Sequence, residues 1–311
     1  MKNLPTFLSV ASLVILFAYI SYNEVRKPAR TTMSDEAVAE PEFVVEDARF
    51  PAVSYDLPKE ASFAGETVPM NLPDVRERFD KELQINTYLH SNTIFLIKRA
   101  HRWFPQIEKI LKENNIPDDF KYLPLIESNL MNVVSPADAV GYWQILKTSG
   151  KEFGLEITKE VDERYDPLKA TQAACRYLNQ AHRKFGNWTL VAASYNRGMG
   201  GVDRAIDNQR ERSYYDLFLN DETARYVFRI LAIKEIIEHP ARYGFRINPK
   251  HLYDEEPVRY VEVNETIKDL VNFAKQQGTS YKFIKRYNPW LREETLTVKK
   301  GRQYRIALPA K

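Results

Sequence analysis

Residues 114–128 read NNIPDDFKYLPLIES, and the fold is decided here. Pro117 stands where the first helical residue would, with Asp118 and Asp119 in the first turn, so the spacing predicts a helix running into Glu127. Leu123, Leu125 and Ile126 precede the acid and place its carboxyl beside buried surface. Desolvation there disfavours the charged form and raises the pKa, as a general acid working near neutral pH requires. The same local pattern also fits a helix-terminal carboxylate in a salt bridge. A lone glutamate does not separate the two readings.

Helical periodicity extends outward on both sides. Upstream, Val75, Phe79, Leu83, Tyr88 and Leu89 mark one helix, and positions 94–111 another. Downstream, a helix is expected in GYWQILKTSGKEFG (141–154), ending near Gly150 or Gly154. Another should open at Asp166-Pro167 and run through Tyr177 to His182. A third, from Trp188 to Asn196, is closed by Gly198, Gly200 and Gly201, and further helices are expected at 214–218 and 222–238. A nearly all-helical domain over 73–248 follows. Beyond it the pattern changes. RYVEV (259–263) and QYRIAL (303–308) alternate like strands and bracket helical stretches at 267–276 and 281–287, a small βααβ unit over 257–311. The expected fold class is therefore mainly α, with a small α+β C-terminal domain.

The segment 25–72 carries acids and prolines without a sustained period and reads as a linker lying against the domain in places. Before it, Leu4–Ile20 is uncharged and preceded by Lys2, the pattern of an export signal or a membrane anchor within 1–24. No Ala-x-Ala site follows, which favours an uncleaved anchor. Arg26, Lys27 and Arg30 just after the run are not what the positive-inside rule favours for an exported C-terminus. The net charge of +3 on 311 residues is too small to argue for nucleic acid, though it suits an anionic polymer. Cys175, the only cysteine, excludes an intramolecular disulfide and reads as a small packed residue. His90, His101, His182, His239 and His251 show no helical ligand spacing, so neither metal nor cofactor is expected.

Four blocks follow one another in order: Glu127-Ser128, then SPADAVGYWQI (135–145), then FGNWTLVAASYNRGMGGV (185–202), then ETARYV (222–227), with DERYDPLKATQAACRYL (162–178) between the second and third. Together they resemble the soluble-type lytic transglycosylases of the goose-lysozyme-like superfamily, and among these most the membrane-bound lytic murein transglycosylase D group. The resemblance implies a lysozyme-like helical domain whose cleft holds a peptidoglycan glycan strand. Glu127 matches the family's catalytic glutamate, which protonates the glycosidic oxygen and then serves as base toward the sugar's own C6 hydroxyl, giving a 1,6-anhydromuramoyl end. The implied substrate-binding residues are Ser128, Ser135, Gln144, Tyr195, Asn196, Glu222 and Tyr226, with the Tyr195 phenol near Glu127, Asn196 orienting the sugar and Gln144 meeting an N-acetyl group. Trp143 reads as core.

The sequence departs from the family pattern in places. Ser135 falls eight residues after Glu127 rather than the usual nine, Met131-Asn132 replaces Asn/Asp-Pro, and Asp138 and Tyr142 stand where small and aliphatic residues are usual. The C-terminal unit resembles a diverged LysM module. Asn288-Pro289 matches its turn, while Asn264-Glu265-Thr266 replaces Gly-Asp-Thr. It binds N-acetylglucosamine chains or else steadies the catalytic domain. The resemblance further implies a cell-envelope, periplasmic enzyme, a monomer anchored to the membrane through residues 4–20. A goose-type lysozyme hydrolysing the same bond and a non-catalytic peptidoglycan-binding protein are the alternatives.

Overall fold

The structure is a computed structural model that describes residues 53–310. The expected leader at 1–24, with its apolar run, and the linker up to residue 52 lie outside the described residues. Among the described residues no helix is long and apolar enough to cross a membrane.

The architecture is mainly α with a small βααβ unit, as expected. A two-stranded hairpin, β1 (Ser62–Phe63) and β2 (Glu66–Thr67), precedes α1 (Pro73–Tyr88) and α2 (His90–Glu113). A 3₁₀ turn (Asp118–Tyr122) leads into the short α3 (Leu123–Ser128), and α4 (Lys147–Glu152) follows after a long loop. Then come α5 (Pro167–Phe185), α6 (Trp188–Arg197), α7 (Met199–Gln209) and α8 (Asp221–Glu238). The C-terminal unit is β3 (Val258–Val263), α9 (Leu270–Gln276), α10 (Tyr281–Tyr287) and β4 (Tyr304–Pro309). Its strands pair antiparallel from Val258↔Pro309 to Val263↔Tyr304.

Helix boundaries follow local chemistry. Asp166 caps α5, its carboxylate accepting from the amides of Leu168 (2.9 Å) and Lys169 (3.1 Å), with Pro167 at the first helical position. Gly186 ends that helix at φ +66°. Asn187 then caps α6 through the Leu190 amide (2.9 Å). The Glu66 carboxylate also accepts from the free amides of Trp188 and Thr189, its charge at the positive end of the helix dipole. α8 buries Val227, Phe228, Ile230, Leu231, Ile233 and Ile236 in the helical core.

Several expectations are corrected. The stretch assigned to the linker is part of the domain from residue 53 onward, because Phe63 and Val68 are buried in the main core. Residues 118–122 form a 3₁₀ turn, so the α-helix carrying Glu127 is only the six residues Leu123–Ser128 and does not begin at Pro117. Residues 141–146 are not helical, since Gly141 and Gln144 both have positive φ and Val140 bridges Ile145. Gly200 and Gly201 do not close α6; Gly198 does, and the other two open α7, a helix absent from the periodicity reading. Residues 214–216 form a turn.

The C-terminal unit has its own core, built on Leu270, Ile284, Trp290, Leu296, Ile306 and Leu308. Asn288 is buried inside it. Its Nδ2 donates to the carbonyls of Ile284 (2.9 Å) and Ala307 (2.7 Å), and its Oδ1 accepts from the Ala307 amide (2.8 Å), stapling α10 to β4. Val161, from the loop before α5, belongs to this second core.

Candidate active site

Glu127 lies near the end of α3, which stops because Asn129 and Leu130 take left-handed conformations (φ +55° and +52°). The side chain reaches α8, where the fully buried Tyr226 donates its hydroxyl to Glu127 Oε1. Burial pushes the Glu127 carboxyl above its ordinary range. The Tyr226 hydrogen bond and the nearby Arg229 charge pull the other way, and Glu222 adds to the rise. Arg229 Nη2 is tied to the Ile126 carbonyl (2.7 Å), which fixes that charge beside the acid. Ser128 is buried, and its hydroxyl bonds to the Tyr142 (2.8 Å) and Pro124 (3.1 Å) carbonyls.

One wall of the cleft is the irregular segment 133–146. The Ser135 hydroxyl accepts from the amides of Ala137 (3.2 Å) and Ala139 (3.0 Å), closing a tight turn. Gln144 is held at φ +47° with Nε2 donating to the carbonyls of Gly141 (2.8 Å) and Val133 (3.1 Å). Among the described residues its Oε1 has no hydrogen-bond partner, and an amide oxygen there is able to accept. Gly141 is required where it stands: at φ +82° a Cβ would lie 2.1 Å from the Arg164 carbonyl oxygen.

The end of α6 and the start of α8 form the opposite side. Tyr195 donates to the Trp143 carbonyl (2.7 Å) and lines the same cleft as Glu127. The hydroxyl bonded to the acid belongs to Tyr226. Asn196 is fixed between Thr223, whose hydroxyl donates to its Oδ1 (2.7 Å), and Glu222, whose carboxylate accepts from its Nδ2 (3.0 Å). Trp143 is core, as expected, fully buried with Nε1 donating to Thr171 Oγ1 (2.8 Å).

A cleft of about 410 Å³ brings together Glu127, Ser135, Gln144, Tyr195, Asn196 and Glu222. Ser128 and Tyr226 do not line it, and both are buried. Ser128 bonds to backbone carbonyls beside the acid, and Tyr226 bonds to the acid itself. Arg229 and Thr223 escaped the sequence reading. A signal existed, since Glu222, Tyr226 and Arg229 are spaced to share one face of a helix. Among the described residues Glu222 is the one other carboxylate lining the cleft; it is exposed and bonded to Asn196. The arrangement can therefore deliver one proton from a shielded carboxyl into a groove lined by amides. Among the described residues no cluster of His, Cys, Asp and Glu is suited to a metal ion.

Known proteins share this chain's pattern in two segments. Residues 105–218 match the transglycosylase SLT domain, and residues 259–311 match the soluble lytic transglycosylase C-terminal LysM-like domain. Membrane-bound lytic murein transglycosylase D of Escherichia coli (strain K12) is 30% identical over 259 residues, spanning 80% of this chain and 55% of that protein. The chain thus spans about half the length of this relative. Among solved structures, the 70 kDa soluble lytic transglycosylase of Escherichia coli aligns with 52% of this chain and 31% of its own, at 19% identity and a TM-score of 0.40. The lytic transglycosylase Slt of Pseudomonas aeruginosa aligns with 58% and 35%, at 21% identity and a TM-score of 0.38. The chain carries a transglycosylase SLT domain followed by a LysM-like domain of the soluble lytic transglycosylase type.

Proposed function

We propose that this chain is a peptidoglycan lytic transglycosylase, cleaving the β-1,4 bond between N-acetylmuramic acid and N-acetylglucosamine. The observation that carries this reading is the cleft's single shielded carboxyl. Most glycosidases that use water or an enzyme nucleophile place a second carboxylate across the bond. Here the only other candidate, Glu222, sits at the mouth in a hydrogen bond to Asn196. The missing nucleophile is then supplied by the substrate.

In this scheme Glu127 gives its proton to the glycosidic oxygen as the bond from C1 of N-acetylmuramic acid to that oxygen breaks. The resulting carboxylate takes the proton of the same sugar's C6 hydroxyl as O6 bonds to C1. The acid is restored, no water is consumed, and an internal attack gains from proximity. Gln144 Oε1 accepts from an acetamido N–H, while Asn196 orients the sugar at the scission point. The catalytic domain comprises the helical region to about residue 248, joined to the LysM-like unit from 257. Anchorage through residues 4–20 on the periplasmic side completes the assignment and agrees with the word "membrane-bound" in the relative's name.

Mass spectrometry of muropeptides released from purified sacculi tests the reading. The expected product carries an anhydro end, lighter by one water than a reducing end. Reducing ends would make the protein a hydrolase of the same bond. No release by the wild-type protein would leave a peptidoglycan-binding protein.

A further inference from the structure

The motif DERYDP (162–167) is absorbed by neither catalysis nor substrate contact, yet it lies between the two domains. Its arginine is almost completely buried. Arg164 Nε and Nη2 grip both oxygens of Asp162 (3.0 and 2.7 Å), a two-pronged pairing that holds the guanidinium in one plane. The remaining nitrogen, Nη1, donates to the backbone carbonyls of Asp138 (3.1 Å) and Ile145 (3.2 Å). These carbonyls belong to the cleft wall that presents Ser135 and Gln144. The Arg164 backbone presses on the same wall at Gly141.

The other side of this loop is held by the C-terminal unit. Val161 is buried in that unit's core and bridges Leu291. The Asp162 amide donates to the Trp290 carbonyl (2.9 Å), and the Arg292 amide to the Glu160 carbonyl (2.8 Å). The Glu160 carboxylate accepts from the Thr295 hydroxyl (2.5 Å) and the Thr297 amide (2.8 Å), bonds that hold its carboxyl below the ordinary range. One continuous set of contacts therefore runs from the LysM-like core to Asp162, through Arg164, to the cleft wall.

We infer that Arg164 is a positioning residue for the substrate-binding wall 133–146, and that the LysM-like unit braces the cleft by seating the 160–164 loop that carries it. The wall has no helix or sheet of its own to hold Gln144 at a positive φ, and an irregular segment needs support from outside itself to keep its geometry. The consequence for turnover rests on the function proposed above; the bracing itself does not.

The test uses the whole chain with three substitutions. Arg164→Lys keeps a cation beside Asp162 but lacks the planar fork that also reaches two carbonyls. Arg164→Met removes the charge, and Glu160→Ala loosens the seam to the C-terminal unit. Amide hydrogen exchange is followed at Val140, Gly141 and Ile145 in the wall and at residues 227–236 of α8. In Arg164→Lys the wall amides should exchange about tenfold faster, and in Glu160→Ala about threefold faster, with α8 unchanged. With soluble glycan oligomers, Arg164→Lys should raise KM about fivefold and leave kcat within about twofold, because the wall carries binding groups and not the acid. Arg164→Met should exceed Arg164→Lys in both readouts, so that the lysine counts as a partial rescue. Wall exchange at the wild-type rate in both Arg164→Lys and Glu160→Ala, with only the melting temperature lowered, would overturn the inference. A wild-type protein inert on every glycan would strike the proposed function, while the exchange measurement would still decide the bracing.

Discussion

The two sides of the cleft are built on opposite plans. The acid's side is helical: Glu127 ends α3, Tyr226 and Arg229 stand on α8, and the packed core lies directly behind them. The facing wall, 133–146, is irregular, with positive φ at Asp138, Gly141 and Gln144, and is held by side chains reaching carbonyl oxygens. The group that moves a proton needs a fixed, dry position, which a helix pair supplies. The groups that recognise a sugar need backbone bent into a concave surface, which helices do not supply. The difference predicts that damage to the helical side shows in the chemical step, and damage to the wall shows in binding and stability.

The largest effect should come from Glu127→Gln. The amide keeps the shape of the side chain and cannot deliver a proton, so glycan release should fall about a hundredfold or more, with an unchanged circular dichroism spectrum. Release at the wild-type rate would remove Glu127 from the mechanism. Gly141→Ala should be the most damaging change on the wall. It forces a methyl against the Arg164 carbonyl at a positive φ, and chemical denaturation should show a loss of about 3 kcal/mol. A neutral result would mean that the wall is slack, and the contrast between the two sides would fail.

Tyr226→Phe is subtler. The tyrosine hydroxyl lowers the Glu127 pKa, against the stronger effect of burial. Its loss should move the alkaline limb of the activity profile to higher pH, because the protonated acid then persists further. The accompanying loss of orientation should cost about tenfold in kcat at the optimum. A limb moving to lower pH would contradict the hydrogen bond's direction. The smallest effect concerns stability. The folded protein holds the Glu127 proton more tightly than the unfolded chain does, so this residue's contribution is full below the unfolded carboxylate pKa and declines as pH rises through the folded value. Glu127→Gln should therefore melt higher than wild type at pH 8 by more than it does at pH 4. A gap that narrows with rising pH would show that the carboxyl is not raised.

The same contrast explains what the sequence made legible. The helical side could be read because its apolar residues recur at helical spacing, in the run before Glu127 and again along 222–238. The C-terminal βααβ order was readable for the same reason, from alternation in 259–263 and 303–308. The wall was misread as a helix because GYWQIL has helix-compatible residues, while its conformation is imposed by Arg164, some twenty positions away in the chain. Nor does the sequence separate Tyr195 from Tyr226 as the partner of Glu127, since each ends up beside Trp143 or the acid only through tertiary packing. Asp162 and Arg164 carry no local signal of burial. Their burial depends on a neighbouring domain that local patterns do not reveal.

Cys175 offers a practical handle. It is the only thiol, fully buried in α5, and burial pushes it up to about 12, so both access and thiolate formation are suppressed in the native protein. A maleimide or disulfide reagent added to the intact molecule should leave it unmodified, and labelling should proceed only as fast as the helical core opens. The native chain thus carries an internal clock for unfolding and, while folded, resists being trapped as a mixed disulfide whatever the redox poise around it.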